Sequence, residues 1–207
     1  MYNKFKAFMR SLIEGTTAIY FRDVIKASTN TRMRRVNDKA RKELLRIKTY
    51  FKKNLPLISD YVKSHFVGRS NELSNWMEGE VAKELIKIKG FEIKKPVRIT
   101  GGMLSSAYPD LYVTTKSERF YLEIKVFQNK TSNSSLRTFY YKPSDNSKVT
   151  VSCPHILLAF EVESLKGNNE SPFVIKDFKM IDLYDLKVRL KPEFNASNIE
   201  LYKCAQT

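Results

Sequence analysis

Residues 109–125 read Pro-Asp-Leu-Tyr-Val-Thr-Thr-Lys-Ser-Glu-Arg-Phe-Tyr-Leu-Glu-Ile-Lys. Two carboxylates, Asp110 and Glu123, are separated by twelve residues, and Lys125 stands two places after the second. Carboxylates are ligands for hard divalent cations, and a nearby ammonium offsets negative charge that develops during a reaction. The spacing suits a hairpin of residues 111–115 and 118–127 about a tight turn at Lys116 and Ser117, which sets Asp110 across from Glu123. Directly opposed side chains lie about 4.5–5.5 Å apart at Cβ, near enough to share one cation. Alternation puts Glu123 and Lys125 on one face of the second strand and Leu122, Ile124 and Val126 on the other. The plainer alternative is a surface hairpin with a cross-strand ion pair. Such pairs contribute little and need no apolar setting of this kind.

The arrangement resembles the active-site signature of the PD-(D/E)XK nuclease superfamily, over roughly residues 74–163. The resemblance implies an α/β fold: a restriction-endonuclease-like core with a central mixed β-sheet flanked by helices. It implies that Asp110 and Glu123 hold Mg2+, with Mn2+ as a substitute, and that the Ile124 carbonyl completes the shell. Lys125 would then orient the attacking water or help to deprotonate it. Gln128 matches a polar position of some branches of the superfamily; a strand-end amide is the simpler reading.

Relatives with this signature often draw a further glutamate from the preceding helix, here expected to begin at Ser74 and to close at Gly90. Glu78, Glu80 and Glu84 are the candidates. At about 100° per residue, Met77, Val81, Leu85 and Ile88 form one arc, extended by Ala82 and Ile86, and Glu78 points into it. Glu80 falls beside Lys83 and Lys87, and Glu84 lies at the boundary, where i,i+3 pairing accounts for both. An acid on an apolar face is costly unless paired or metal-bound, so Glu78 is the expected fourth site residue and Glu80 the reserve.

Charge supplies the second signal. The 207 residues carry a formal +15, and residues 1–70 hold 17 Lys and Arg against 5 Asp and Glu. Residues 71–207 are nearly balanced, at 20 against 17. That asymmetry divides the chain into a basic helical region at 1–70, for DNA binding, dimerisation or both, and a nuclease core at 71–207. Phosphates are the natural counterpart of such a surface, and Arg32, Arg34 and Arg35 are clustered as phosphate forks would be. An anionic membrane surface is the rival, without a lipidation motif to support it, and a solvated helical face is the plainest reading. No run of about 18 apolar residues is present, and the charged start Met-Tyr-Asn-Lys-Phe-Lys is no secretory signal. A cytoplasmic location follows as an expectation. Cys153 and Cys204 fit no metal or disulfide framework.

Helical spacing runs over residues 4–27 with a break near Gly15, and over 33–51, where Val36, Ala40, Leu44, Ile47 and Phe51 share a face. That stripe suits either a second subunit or the chain's own core. Pro56 reads as the start of a separate short helix to Phe66. Strands are expected over 91–100, 149–152, 155–162 and 173–183. The polar stretch 128–148 is a long connection of the kind that often carries function. Within it, Arg137, Tyr140 and Lys142 are candidate DNA contacts, against the equal claim of an ordinary loop. His155 reads as structural.

The resemblance makes a type II restriction endonuclease the leading expectation. Such an enzyme acts on double-stranded DNA as a homodimer, with a cognate DNA methyltransferase encoded nearby. A junction resolvase or repair nuclease is the alternative within nucleases, and a non-catalytic nucleic-acid-binding module the alternative outside them. The intact Asp110, Glu123 and Lys125 argue against the last.

Overall fold

The computed structural model describes residues 18–101, 107–128, 139–167 and 170–190, together with the helical positions Asn3, Lys4, Lys6, Ala7, Met9 and Arg10. The chain forms two compact units. One comprises Met1–Tyr20 with Lys187–Thr207, and the other Phe21–Leu186. In the first, β1 (Ile19–Tyr20) pairs antiparallel with β7 (Lys187–Val188). The strand at β1 interrupts the helical run expected over 4–27; Gly15 lies outside the described residues.

The second unit is α/β, consistent with a restriction-endonuclease-like core. Its helices are α1 (Phe21–Ser28), α2 (Asp38–His65) and α3 (Ser70–Ile86). Five strands follow: β2 (Glu92–Lys94), β3 (Leu111–Thr114), β4 (Arg119–Phe127), β5 (His155–Ser164) and β6 (Phe173–Asp182). They form one mixed sheet in the order β2-β3-β4-β5-β6, parallel at β4/β5 and antiparallel elsewhere. Helices α2 and α3 cover one face, burying Ile47, Phe51, Leu73, Met77 and Leu85 against Leu122, Ile124, Leu158 and Phe160. β6 presents Phe173 and Ile175, then Phe178, to this core. The change of phase is absorbed by one extra residue, Lys176, at the register shift opposite Glu161 and Val162. The opposite face carries an aromatic cluster of Phe21, Tyr108, Phe139 and Tyr141 about His155 and Tyr121.

Three expectations are corrected. Residues 33–51 and 57–66 are not two helices, because α2 runs through Pro56. An interior proline costs about 3 kcal/mol, but Ile58 and Val62 beyond it are buried in the core. Burial of such side chains contributes about 1.5–3 kcal/mol each, which offsets the break. The strand expected over 91–100 shrinks to β2, because Pro96 cannot donate to a ladder. Residues 149–152 form no strand; Thr150 and Val151 donate their amides to the Tyr121 hydroxyl, at 3.1 and 3.2 Å. The stripe on α2 is also settled: Ala40, Ile47 and Phe51 are fully buried within this unit, and Val36 and Leu44 pack on the same core.

Candidate active site

The turn between β3 and β4 is built from short polar side chains. Thr115 Oγ1 accepts from the Glu118 amide at 3.0 Å, and the Thr115 amide donates to the Glu118 carbonyl at 2.8 Å. Helix α2 and the residues before it clamp this turn. Glu43 accepts from the Ser117 hydroxyl at 2.6 Å, while Glu118 accepts from Arg34 at 2.8 Å and from Asn37 at 2.9 Å. Burial alone would raise the Glu118 carboxyl, but these donors and the Arg119 amide hold it below the ordinary range. The fixed turn sets the register Leu111↔Leu122, and one further step places Asp110 opposite Glu123.

Asp110 Oδ2 accepts from the Ile124 amide at 2.7 Å, which anchors the aspartate to the strand that carries the other acid. Glu123 is 4% exposed. Its Oε1 accepts from Lys125 Nζ at 2.5 Å, while its buried Oε2 has no hydrogen-bond partner among the described residues. Lys125 Nζ also reaches the Ile124 carbonyl at 3.1 Å, and Ser74 of α3 donates to the same oxygen at 3.4 Å. That contact seats α3 across β4, and Glu78, one turn along the helix from Ser74, feels the charges of Asp110 and Lys125.

The electrostatics follow from burying several acids together. Desolvation, then the charge of Asp110, pushes the Glu123 carboxyl up to about 8. Desolvation followed by Asp110 also lifts Glu78, to about 7. Burial raises Asp110 too, although Lys125 and the Ile124 amide oppose the shift. For Lys125, burial works to lower the pKa, but Glu123 and Asp110 outweigh it and keep the ammonium charged. Desolvation is the leading cause at all three acids, and Lys125 opposes it at each.

Among the described residues no three His, Cys, Asp or Glu side chains form a ready-made metal cage. Magnesium does not require one, since it keeps several waters and takes one or two carboxylates. The unpartnered Oε2 of Glu123, the neighbouring Asp110 and the Ile124 carbonyl are an all-oxygen donor set. A divalent cation would satisfy the orphaned oxygen and offset the mutual repulsion of Asp110, Glu123 and Glu78, so the residues present fit such an ion.

The helical glutamates separate as expected. Glu80 pairs with Lys83 at 2.7 Å and lines a cavity of about 530 Å³ between α2 and α3, on the side of Tyr50 and Tyr61. Arg32 is exposed, and its amide donates to Ser152 Oγ at 2.9 Å. Arg34 is spent on Glu118, and Arg35 pairs with Asp185 at 3.0 Å while stacking over Tyr184. Gln128, at the end of β4, is buried; Tyr140 and Lys142 are exposed. Arg137 lies outside the described residues. His155 is fully buried and shares a 2.6 Å hydrogen bond with the Tyr108 hydroxyl. Burial pulls it down to about 3, as suits a neutral structural histidine.

Sequence reasoning missed Lys148. It is buried beside the acids, and its charge reaches Asp110, Glu78 and Glu123. No local spacing marks it, because the contact is made across the long connection between β4 and β5. Tyr108, which ties the Pro-Asp segment to His155, was likewise hidden.

Comparison with known proteins identifies the family of the chain. Residues 14–205 match the model of the type II restriction enzyme MjaV family. The type II restriction enzyme MjaV of Methanocaldococcus jannaschii is 40% identical over 144 residues, which is 65% of this chain and 60% of that protein. The chain thus spans less than two thirds of that relative's length. No solved structure matches the chain. The family match runs through both the helical and the sheet segments, and the chain belongs to the type II restriction enzyme MjaV family.

Proposed function

We propose that this protein is a divalent-metal-dependent endonuclease that hydrolyses phosphodiester bonds of double-stranded DNA at a short specific site. The observation that carries the reading is the meeting of Asp110, Glu123 and Lys125 on one sheet face, with Glu123 Oε2 buried and without a hydrogen-bond partner among the described residues. Family membership supports the same activity.

Asp110, Glu123 and the Ile124 carbonyl would hold the ion, with Glu78 at its margin. When bound, Mg2+ or Mn2+ supplies Lewis acidity at the scissile phosphate and lowers the pKa of water. In the overall reaction a water oxygen bonds to phosphorus, one P–O ester bond breaks, and the departing alkoxide takes up a proton. Lys125 orients the incoming water and offsets negative charge on the phosphate oxygens, a preorganised contribution that needs no rearrangement. The Asp110 bond to the Ile124 amide keeps one acid in place as the charge of the site changes. The β3–β4 turn, clamped by Arg34, Asn37 and Glu43, fixes the whole group.

Arg32 on the basic side, with Tyr140, Lys142 and Arg137, belongs to the proposed DNA-contacting set. A two-fold homodimer would match the symmetry of a palindromic target, and a cognate methyltransferase would protect host DNA. Incubation with phage DNA tests the reading. Discrete bands are expected in Mg2+ or Mn2+, and binding without turnover in Ca2+, whose looser shell activates water less. Full activity in EDTA contradicts the metal mechanism, and cleavage confined to branched DNA favours a structure-specific nuclease instead.

A further inference from the structure

Lys148 lies in the connection between β4 and β5 and is 6% exposed. Its Nζ donates to the Ala107 carbonyl at 2.7 Å, three residues before Asp110. Its main chain is fixed from the sheet. The Tyr121 hydroxyl donates to the Lys148 carbonyl at 3.4 Å while accepting the amides of Thr150 and Val151. Tyr121 occupies the same face of β4 as Glu123 and Lys125, by the two-residue alternation of a strand. The fold therefore brings a second lysine to the acidic cluster, from a segment 23 residues beyond Lys125.

The two lysines differ in their partners. Lys125 is paired with Glu123. Among the described residues Lys148 forms no salt bridge, and a carbonyl takes one of its three donors. A buried cation that lacks an ion pair is costly, and here burial pulls its pKa down against the opposing charges of Asp110, Glu78 and Glu123. The cost is recovered when an anion arrives. A lysine needed only to hold the Ala107 carbonyl would do the same work as a neutral amide.

On the reading that this face cleaves DNA, we propose that Lys148 is a second substrate-binding cation, whose ammonium, positioned by Ala107 and Tyr121, contacts an oxygen of the bound backbone phosphate. It acts beside Lys125, leaving that residue to its water and to Glu123. The neighbouring Lys95, exposed after β2, adds to the same positive rim.

The test uses Lys148→Gln, which keeps a donor for Ala107 and removes the charge, and Lys148→Arg, which keeps the charge. Binding to a duplex is followed in Ca2+ as a function of salt, and cleavage in Mg2+, after thermal melts confirm folding. The glutamine variant should lose about one unit of slope in log K against log salt and about a hundredfold or more in cleavage. The arginine variant should keep the slope. A glutamine variant with the wild-type slope and cleavage within about threefold overturns the proposal, as does equal loss in both variants. If the glutamine chain does not fold, the lysine Nζ resonance that Lys148→Arg removes identifies Lys148 in the wild-type protein. That resonance must shift when duplex is added, and its indifference overturns the proposal. Wild-type protein that never cuts DNA, while Lys148→Gln still loses its unit of slope, removes the enzyme reading and leaves the phosphate contact standing.

Discussion

The two faces of β4 use adjacent residues for opposite purposes. Phe120, Leu122 and Ile124 enter the apolar core under α2 and α3, where every contact favours folding. Tyr121, Glu123 and Lys125 face the other way, into a cluster where three acids are raised in pKa and one buried oxygen has no hydrogen-bond partner among the described residues. Apolar burial on the first face holds the strand rigid enough to keep the second face in an unfavourable state. On the proposed function, stability and chemistry are separated by a single residue step, and substitutions on the two faces should part company.

The largest effects should mark that separation. Asp110→Ala and Lys125→Ala are each expected to lower cleavage by about a thousandfold or more, since groups serving one reaction fail together. Their melting temperatures should change little. Leu122→Ala should do the reverse, costing about 2–5 kcal/mol of stability while the chain that remains folded still cuts. Paired measurements of melting and single-turnover cleavage decide this, and comparable loss of cleavage per degree of melting from both faces would erase the distinction.

A middle-sized effect separates the two glutamates of α3. Glu78→Gln should slow cleavage by about 10- to 100-fold, the usual cost of disturbing groups around a metal. Glu80→Gln removes only an i,i+3 pair with exposed Lys83 and should stay within about twofold. Rates in the reverse order would mean that α3 presents its other side to the DNA.

The smallest effect concerns the basic segment before α2. Arg32→Ala should lower the salt slope of DNA binding by about one unit if its guanidinium meets a phosphate. Arg34→Ala should act on the melting temperature instead, because Arg34 pairs with the half-buried Glu118 at the β3–β4 turn. Binding isotherms at several salt concentrations, alongside thermal melts, distinguish the two. A wild-type slope for Arg32→Ala assigns that charge to solvent.

Much of the candidate site's geometry was legible in sequence because its signals are local. The twelve-residue gap between Asp110 and Glu123 sets a hairpin register, and two-residue alternation sets which side chains share a face. The helical wheel separated Glu78 from Glu80 for the same reason. What escaped was set by tertiary contact. Pro56 passes through α2 because Ile58 and Val62 are buried beyond it. Residues 149–152 look like a strand until the Tyr121 hydroxyl takes their amides. Lys148 and Tyr108 join the site across long stretches of chain. Arg32, Arg34 and Arg35 are all exposed, and the pairing of the last two with Glu118 and Asp185 is likewise a tertiary contact.

Glu123→Gln tests the central claim most directly, because one substitution bears on both chemistry and stability. The folded-state carboxyl is raised from an ordinary 4.5 to about 8, so the metal-free folded chain holds this proton more tightly than the unfolded chain does. Its contribution to stability is full below the unfolded value and is lost as pH rises through about 8. Glutamine cannot ionise. In metal-free buffer the wild-type melting temperature should therefore fall more steeply than that of the variant as the pH is raised through this window, while cleavage in Mg2+ disappears in the variant. Cleavage retained within about tenfold, or parallel melting curves across the whole pH range, would contradict the assignment of Glu123 as the buried acid of the active site.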